Sequence, residues 1–240
     1  MHPKERIILA LDVERLGTAQ EIVKEFKDSI GMFKVGKQLF THSGPKIVDF
    51  IKMKGGKVFL DLKYHDIPNT VSKAAIEATR LGVDMFNIHA SGGFSMMSAT
   101  MKAVMEEAEK LRVTRPIVIA VTVLTSLDDG ELAKMGINQS AKDFVKILAS
   151  LTKEAGLDGV VASGQEAEMI RNLCGKDFVI VTPGVRMDET SNDQKRTSGP
   201  GEAISKGATY IVLGRTVLQT QNPIEMLKKA EEQISHALSR

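Results

Sequence analysis

Residues 57–63, Lys-Val-Phe-Leu-Asp-Leu-Lys, form a short apolar run that ends in charged residues. The run is too short for a typical helix, and its composition predicts a β-strand. Successive side chains of a strand point to opposite faces, and one face here is aliphatic throughout: Val58, Leu60 and Leu62. The other face carries Phe59, Asp61 and Lys63, so both charges lie on the side that does not pack against helices.

Seven more runs of this kind recur along the chain, separated by segments with helical periodicity. The predicted strands are residues 7–12, 31–36, 57–63, 84–90, 116–124, 159–163, 178–182 and 209–214. The predicted helices are residues 19–29, 45–53, 71–80, 94–111, 141–155, 165–173, 202–206 and 223–238. Glycine follows several of these helices, as expected at helix carboxyl ends. We expect the long connection 125–140 to hold an additional short helix.

Eight strand–helix units in 240 residues fit an α/β fold of the (β/α)8 TIM-barrel type, which typically uses about 250 residues. The alternative is a doubly wound open sheet, which would usually have fewer strands and a glycine-rich first turn. The first turn here, residues 12–15, is Asp-Val-Glu-Arg and lacks the G-x-G-x-x-G pattern. No Pro- or Ser-rich linker divides the chain, so we predict a single barrel domain over residues 1–240.

The composition narrows the classes of function. The chain has 32 Lys and Arg against 30 Asp and Glu, and a formal net charge of +2 argues against a dedicated nucleic-acid binder. Cys174, the only cysteine, excludes an internal disulfide or a cysteine zinc cluster and suits a reducing compartment. No apolar run approaches the roughly 20 residues that a membrane helix needs, and no signal peptide is evident. We therefore expect a cytoplasmic protein with no membrane partner.

Charged residues stand at or near the carboxyl ends of three predicted strands: Asp12, Lys34, Asp61 and Lys63. Active sites of (β/α)8 barrels lie at this end. The four side chains are therefore predicted to converge at one mouth, where the next loop adds Asp66. Partly buried charges are tolerated when they alternate in sign and form pairs. The alternative is that these ion pairs only close the top of the barrel.

The last two predicted strands lead into residues 182–186, Thr-Pro-Gly-Val-Arg, and residues 213–215, Leu-Gly-Arg. Loops after these strands often bind phosphate in such barrels, and arginine binds phosphate oxygens bidentately. The long polar connection 184–199 is predicted to be a lid, with a solvated insertion as the alternative. His65 and His89 lie near the mouth, but their spacing matches no metal-binding motif, so no metal is predicted.

Residues 61–70, Asp-Leu-Lys-Tyr-His-Asp-Ile-Pro-Asn-Thr, contain the D-x-K-x-x-D signature of the orotidine 5′-phosphate decarboxylase family. The chain resembles that family over almost its whole length, because further motifs follow the same order: residues 10–12 (Ala-Leu-Asp), 33–36 (Phe-Lys-Val-Gly), 123–126 (Val-Leu-Thr-Ser), 182–186 and 212–215 (Val-Leu-Gly-Arg). The first motif alone also occurs in sister enzymes of the same barrel suprafamily, whereas the full set is specific.

The resemblance implies a homodimeric barrel that converts orotidine 5′-phosphate to UMP and CO2, the last step of de novo UMP biosynthesis, with no cofactor. It implies that Lys63 protonates C6 of the pyrimidine and that Asp61 lies against the departing carboxylate. Lys34 and Asp66 complete the charge array. Asp66 and Thr70 reach into the partner's site.

The same resemblance implies the contacts with the substrate. Asp12 and Lys34 bind the ribose hydroxyls, and Ser126 contacts the base. The phosphate is held by Gln194, on the predicted lid, together with Arg186 and Arg215. The remaining residues implied in substrate binding are Thr125, Pro183 and Gly214.

Loss of CO2 from C6 leaves negative charge in the plane of the ring, where the ring cannot delocalise it. The usual remedy is a cofactor that withdraws electrons, and nothing in the sequence indicates a site for one. A fixed ammonium such as Lys63 would stabilise that charge and then deliver the proton. Two alternatives stay open. One is a Mg²⁺-dependent sister enzyme acting on a sugar phosphate, which would use a carboxylate in place of Lys34; the other is a phosphate-binding module without catalysis.

Overall fold

Eight parallel strands close into a barrel. In the computed structural model, which describes residues 1–187 and 199–239, the strands are β1 (Ile7–Ala10), β2 (Met32–Gly36), β3 (Val58–Tyr64), β4 (Met85–His89), β5 (Ile117–Val121), β6 (Gly159–Val161), β7 (Val179–Thr182) and β8 (Tyr210–Leu213). Each strand pairs with its neighbours in sequence, and β8 closes the ring by pairing with β1 through Ile211 and Ile7. The predicted (β/α)8 barrel is confirmed.

Helices connect the strands and pack against the outside of the barrel. Those within the described residues are α1 (Leu16–Phe26), α2 (Lys37–Ser43), α3 (Lys46–Met53), α4 (Pro68–Arg80), α5 (Gly93–Leu111), α6 (Asp129–Lys134), α7 (Ala141–Glu154), α8 (Ala167–Cys174), α9 (Pro200–Ser205), α10 (Arg215–Leu218) and α11 (Pro223–Leu238). Short 3-10 helices span Pro3–Arg6 and Ala90–Gly92. The short helix expected after the fifth strand is confirmed as α6. The helices α2 and α10 were not predicted, because seven and four residues are too few to show a helical period.

The alternation of strand side chains divides the core into two layers. Outward-facing residues such as Leu9, Phe33 and Leu60 are buried with the helices in the larger cluster. The smaller cluster fills the inside of the barrel and consists of Ile8, Ala10, Met32, Phe59, Met85, Ile119, Val181, Tyr210 and Val212. These inner side chains make the barrel a packed core rather than a pore. The charged inward-facing residues Lys34, Asp61 and Lys63 lie on the carboxyl-terminal side of this apolar layer.

Ion pairs at the amino-terminal end of the barrel have a structural role. Arg115 donates to both carboxylate oxygens of Asp158, each at 2.7 Å, and Asp158 also accepts from the Val118 N–H at 2.8 Å. Asp84 likewise accepts from Lys52 Nζ at 3.0 Å and from a backbone N–H of β3. Each carboxylate thus accepts a hydrogen bond from a backbone N–H group at the start of a neighbouring strand.

Among the helices of residues 1–187 and 199–239, none combines the length and the apolar character that spanning a membrane requires.

Candidate active site

A cavity of about 960 Å³ opens at the carboxyl ends of the strands. This volume lies within the range of small-molecule sites in proteins. Nine of the residues that the sequence analysis assigned to the site form part of the cavity lining: Asp12, Lys34, Asp61, Lys63, Thr125, Pro183, Arg186, Gly214 and Arg215. Inward-facing positions of β2 and β3 contribute Lys34, Asp61 and Lys63, and the loop after β1 contributes Asp12. The cavity is therefore built at the end of the barrel where this fold places catalysis.

Four charged side chains form one chain of contacts with alternating sign. Lys34 Nζ lies 3.2 Å from Asp12 Oδ1 and 3.2 Å from Asp61 Oδ2. Lys63 Nζ lies 2.5 Å from Asp61 Oδ1. Asp61 thus uses its two oxygens for two different ammonium groups. The predicted convergence and pairing of these four residues at one mouth are confirmed.

The centre of this network is largely removed from water. The exposed fraction of the side chain is 10 % for Asp61 and 13 % for Lys34, against 24 % for Lys63. Burial alone would raise the pKa of Asp61, but the Lys34 and Lys63 ammonium groups outweigh it and bring that pKa below its ordinary value. Burial alone would lower the pKa of Lys34, yet the carboxylates of Asp61 and Asp12 raise it above its ordinary value. Asp61 and Lys34 therefore keep each other charged.

The backbone at Lys63 departs from a regular strand. Its φ is +54°, in the left-handed region that non-glycine residues rarely adopt. The pairing of β3 with β4 runs from Leu60 opposite Phe86 to Tyr64 opposite Ile88, so three residues of β3 face the single residue Asn87. Such bulges often lie next to active sites and redirect a side chain. Strand alternation alone does not predict this feature.

The opposite side of the cavity is apolar. Its walls on the side of β5, β6 and β7 include Val121, Val161 and Val181, with Val123 and Val185 from the following loops. The network of Asp12, Lys34, Asp61 and Lys63 therefore lies across the cavity from these aliphatic side chains. The low polarity also strengthens electrostatic interactions across the cavity.

The arginines expected to bind phosphate come from the ends of the last two strands. Arg186 follows β7 and Arg215 begins α10 directly after Gly214, and all three residues line the cavity. Gln194, expected on the lid, lies outside the described residues. Two guanidinium groups that line the same cavity as an ammonium suit an anionic ligand such as a phosphate.

Three expected site residues lie outside the lining of their own chain's cavity. Asp66, Thr70 and Ser126 do not line it, and Asp66 and Thr70 are exposed. The Asp66 carboxylate accepts from the Ile67 N–H at 2.6 Å, within the turn between β3 and α4. Asp66 therefore does not join the four charges of its own chain at the mouth. Asn87, in contrast, lines the cavity; alternation placed it on the inward face, but no motif marked it as functional.

The two histidines near the mouth contact each other. The rings of His65 and His89 lie 5.3 Å apart, centroid to centroid. Burial, together with the charges of His65, Lys37 and Lys63, lowers the pKa of His89 to about 4. Over residues 1–187 and 199–239, no group of three or more His, Cys, Asp or Glu side chains is placed to hold a metal ion.

The sequence also matches a known family. The model of the orotidine 5′-phosphate decarboxylase / HUMPS family matches residues 5–230. The chain belongs to this family. An orotidine 5′-phosphate decarboxylase of Syntrophotalea carbinolica is 48% identical over 236 residues, which cover 98% of this chain and 97% of that protein. A second family member bearing the same name, from Moorella thermoacetica, is 50% identical over 93% of this chain and 90% of its own length.

A solved structure of a family member has the same fold. The crystal structure of orotidine 5′-phosphate decarboxylase from Lactobacillus acidophilus superposes with a TM-score of 0.83 at 29% identity, over 95% of this chain and 97% of that one. The resemblance inferred from the motifs is therefore confirmed at the level of family and fold. The chain is a member of an enzyme family whose named relatives are carboxy-lyases.

Proposed function

We propose that the chain decarboxylates orotidine 5′-phosphate to UMP and CO2, the last step of de novo UMP biosynthesis, without metal or organic cofactor. The observation that carries this proposal is the Lys63 ammonium, held by Asp61 in a largely buried network at the cavity. Family membership supports the substrate, because the named relatives are orotidine 5′-phosphate decarboxylases. The two arginines that line the cavity supply partners for a phosphate.

Lys63 acts on the reacting atom in two ways. The bond between C6 and the carboxyl carbon breaks, CO2 leaves, and the electron pair remains on C6 in the plane of the ring. A cation already fixed at that position stabilises the charge as it develops, without reorganisation during the reaction. Lys63 Nζ then transfers a proton to C6, and solvent restores the ammonium. We assign Asp61 the task of holding Lys63, because one of its oxygens contacts that ammonium.

Lys34 favours the metal-free reaction. Its ammonium lies 3.2 Å from both Asp12 and Asp61, so it neutralises the carboxylates that a divalent cation would need. We propose that Lys34 and Asp12 also bind the ribose hydroxyls, with Thr125, Ser126 and Pro183 around the base. Arg186, Arg215, Gly214 and Gln194 surround the phosphate in this proposal. Binding of the phosphate, remote from C6, orients the pyrimidine.

Turnover of orotidine 5′-phosphate by the purified chain tests the proposed function. We expect absorbance of the substrate to fall as UMP forms, at a rate that EDTA leaves unchanged. Folded protein that shows no turnover would reject the proposal. A rate that EDTA abolishes and Mg²⁺ restores would favour the metal-dependent sister enzyme. Binding of UMP without turnover would favour a phosphate-binding module.

We further propose a homodimer in which Asp66 and Thr70 enter the partner's site. Both residues are exposed and lie outside the lining of their own chain's cavity. The neighbouring Ile67 is also exposed, at 65%, so an apolar side chain lies beside them on the surface that a second chain would cover. A carboxylate from a second chain would add a second acid beside Lys63.

Mixing two inactive variants tests this arrangement. In a mixed dimer of Lys63→Ala and Asp66→Ala chains, one cavity would combine an intact Lys63 with the intact Asp66 of the other chain. After refolding together at equal amounts, about a quarter of the wild-type activity is expected, because half of the dimers are mixed and each has one intact site. Each variant refolded alone is the control. If Asp66 served its own chain's cavity, mixing would restore nothing.

The domain organisation and the cellular location of the enzyme are proposed from the fold and from its single cysteine. We propose that residues 1–240 work as one catalytic domain, since all eight strands close a single barrel. A cytoplasmic location is supported by Cys174, a buried free thiol that suits a reducing compartment. No nucleic acid or membrane partner is proposed.

A further inference from the structure

We propose that Asn87 of β4 is a positioning residue that fixes Asp61 and Lys63 together. This inference rests on the proposed function and deepens it. Asn87 is 1% exposed and lines the cavity with its side chain directed into the barrel. The hydrogen bonds of its side chain go to β3 rather than to the arginines expected to bind phosphate.

The side-chain amide of Asn87 forms hydrogen bonds with two residues of β3, Asp61 and Lys63. Asn87 Nδ2 donates to Asp61 Oδ1 at 2.7 Å, and Asn87 Oδ1 accepts from the Lys63 backbone N–H at 2.8 Å. Asp61 Oδ1 is also the oxygen that contacts Lys63 Nζ, whereas Oδ2 faces Lys34. Asn87 therefore fixes the orientation of the Asp61 carboxylate between the Lys63 and Lys34 ammonium groups.

The bulge explains why the Lys63 backbone needs this contact. Residues 61–63 face the single residue Asn87, and Lys63 has a φ of +54°. Such a conformation is strained for a residue with a side chain and persists only where neighbouring groups hold it. The Asn87 side chain satisfies the Lys63 N–H in this irregular segment. This hydrogen bond thereby stabilises the backbone conformation that sets the direction of the Lys63 side chain.

Asparagine is suited to this position because it donates and accepts at the same time. An ionised aspartate would still accept from the Lys63 N–H but would face Asp61 Oδ1 with a second negative oxygen. A protonated aspartic acid could replace the amide, since its O–H would donate to Asp61. An alanine would leave the partly buried Lys63 N–H and one side of the Asp61 carboxylate without the partner that Asn87 provides.

Two substitutions and a matched control test the proposal, with turnover of orotidine 5′-phosphate and unfolding measured for each. Asn87→Ala should lower kcat about 10- to 100-fold, the loss expected for a buried hydrogen bond to a charged group. KM should stay within about threefold, since the phosphate contacts remain. Thr100→Val is the control; Thr100 is buried on α5 and donates to the Met96 carbonyl of its own helix, and we expect wild-type kinetics.

Asn87→Asp separates positioning from simple packing. The ratio of its kcat to that of the wild type should be highest at low pH, where the new carboxyl is protonated and donates to Asp61. The ratio should fall at least about fivefold between pH 5.5 and 8.5 as that group ionises. A purely structural loss would not vary with pH in this way. If Asn87→Ala does not fold, the pH profile of Asn87→Asp decides alone.

Each result of these experiments bears on one or both of the two proposals. A folded Asn87→Ala variant with kcat within about twofold of the wild type would overturn the proposal. An Asn87→Asp variant with the same loss at every pH would overturn it too. An inactive wild-type chain would instead reject the proposed function and this inference with it. An active wild type with unaffected Asn87 variants would reject only the role of Asn87.

Discussion

Replacement of Lys63 by alanine is expected to lower kcat for orotidine 5′-phosphate by at least about 10⁴-fold. General acid catalysis by one side chain contributes about 10² to 10⁴ in rate, and a fixed charge at a developing anion contributes about 10² to 10³ more. Lys63 supplies both effects in the proposed mechanism. No other ammonium in the described network can take its place, because Lys34 is held between Asp12 and Asp61.

Kinetics and binding together distinguish this loss from a loss of structure. Lys63→Ala should keep its affinity for UMP within about tenfold by calorimetry, because the phosphate site is unchanged. Lys52→Ala is a matched control, since Lys52 also forms an ion pair with an aspartate, 3.0 Å from Asp84, but at the opposite end of the barrel. We expect wild-type kcat for this variant. A rate for Lys63→Ala near that of the wild type would refute the role assigned to Lys63.

Arg215→Ala should lower kcat/KM for orotidine 5′-phosphate by about 10²- to 10⁴-fold. Each hydrogen bond between a guanidinium and a phosphate oxygen contributes about 1.5–3 kcal/mol, and arginine can form two of them. Arg215 lies at the start of α10 and lines the cavity beside Gly214. The loss should fall mainly on KM if the phosphate anchors substrate and transition state alike.

The phosphate-free nucleoside orotidine provides the decisive comparison. The wild type and Arg215→Ala should process orotidine at the same low rate, because this substrate has no phosphate for the Arg215 guanidinium to bind. Arg15→Ala is the matched control, since Arg15 is an exposed arginine in the loop after β1 that does not line the cavity. An equal loss on both substrates would show that Arg215 supports the fold or the chemistry rather than the phosphate.

The network at the mouth differs from the ion pairs at the opposite end of the barrel. Asp84 and Asp158 bond backbone N–H groups at strand starts, which explains their presence without a ligand. Asp61 and Lys34 are more deeply buried than those residues and face a cavity. Removal of these charges from water is costly even though they pair with one another. This contrast favours a functional rather than a structural reason for the charges at the mouth.

Much of the barrel could be predicted because its signals are local. Short apolar runs separated by helical periods indicated all eight strands, and the alternation of side chains placed Lys34 and Asp61 inside. The ends of the elements were less accurate. Helix α4 begins at Pro68, one turn earlier than its apolar periodicity indicated, because proline is favoured in the first turn of a helix. The fifth strand ends at Val121, three residues earlier than predicted.

The sequence by itself determined the order of the elements, the inward faces of the first four strands and four of the charges at the mouth, those of Asp12, Lys34, Asp61 and Lys63. Side-chain alternation is a property of any extended backbone, so these features need no knowledge of neighbouring strands. Only the tertiary structure decided the bulge at Lys63, the contacts of Asn87 and the outward position of Asp66. Those features depend on the register between strands and on which buried polar groups meet, and both arise only when the barrel closes.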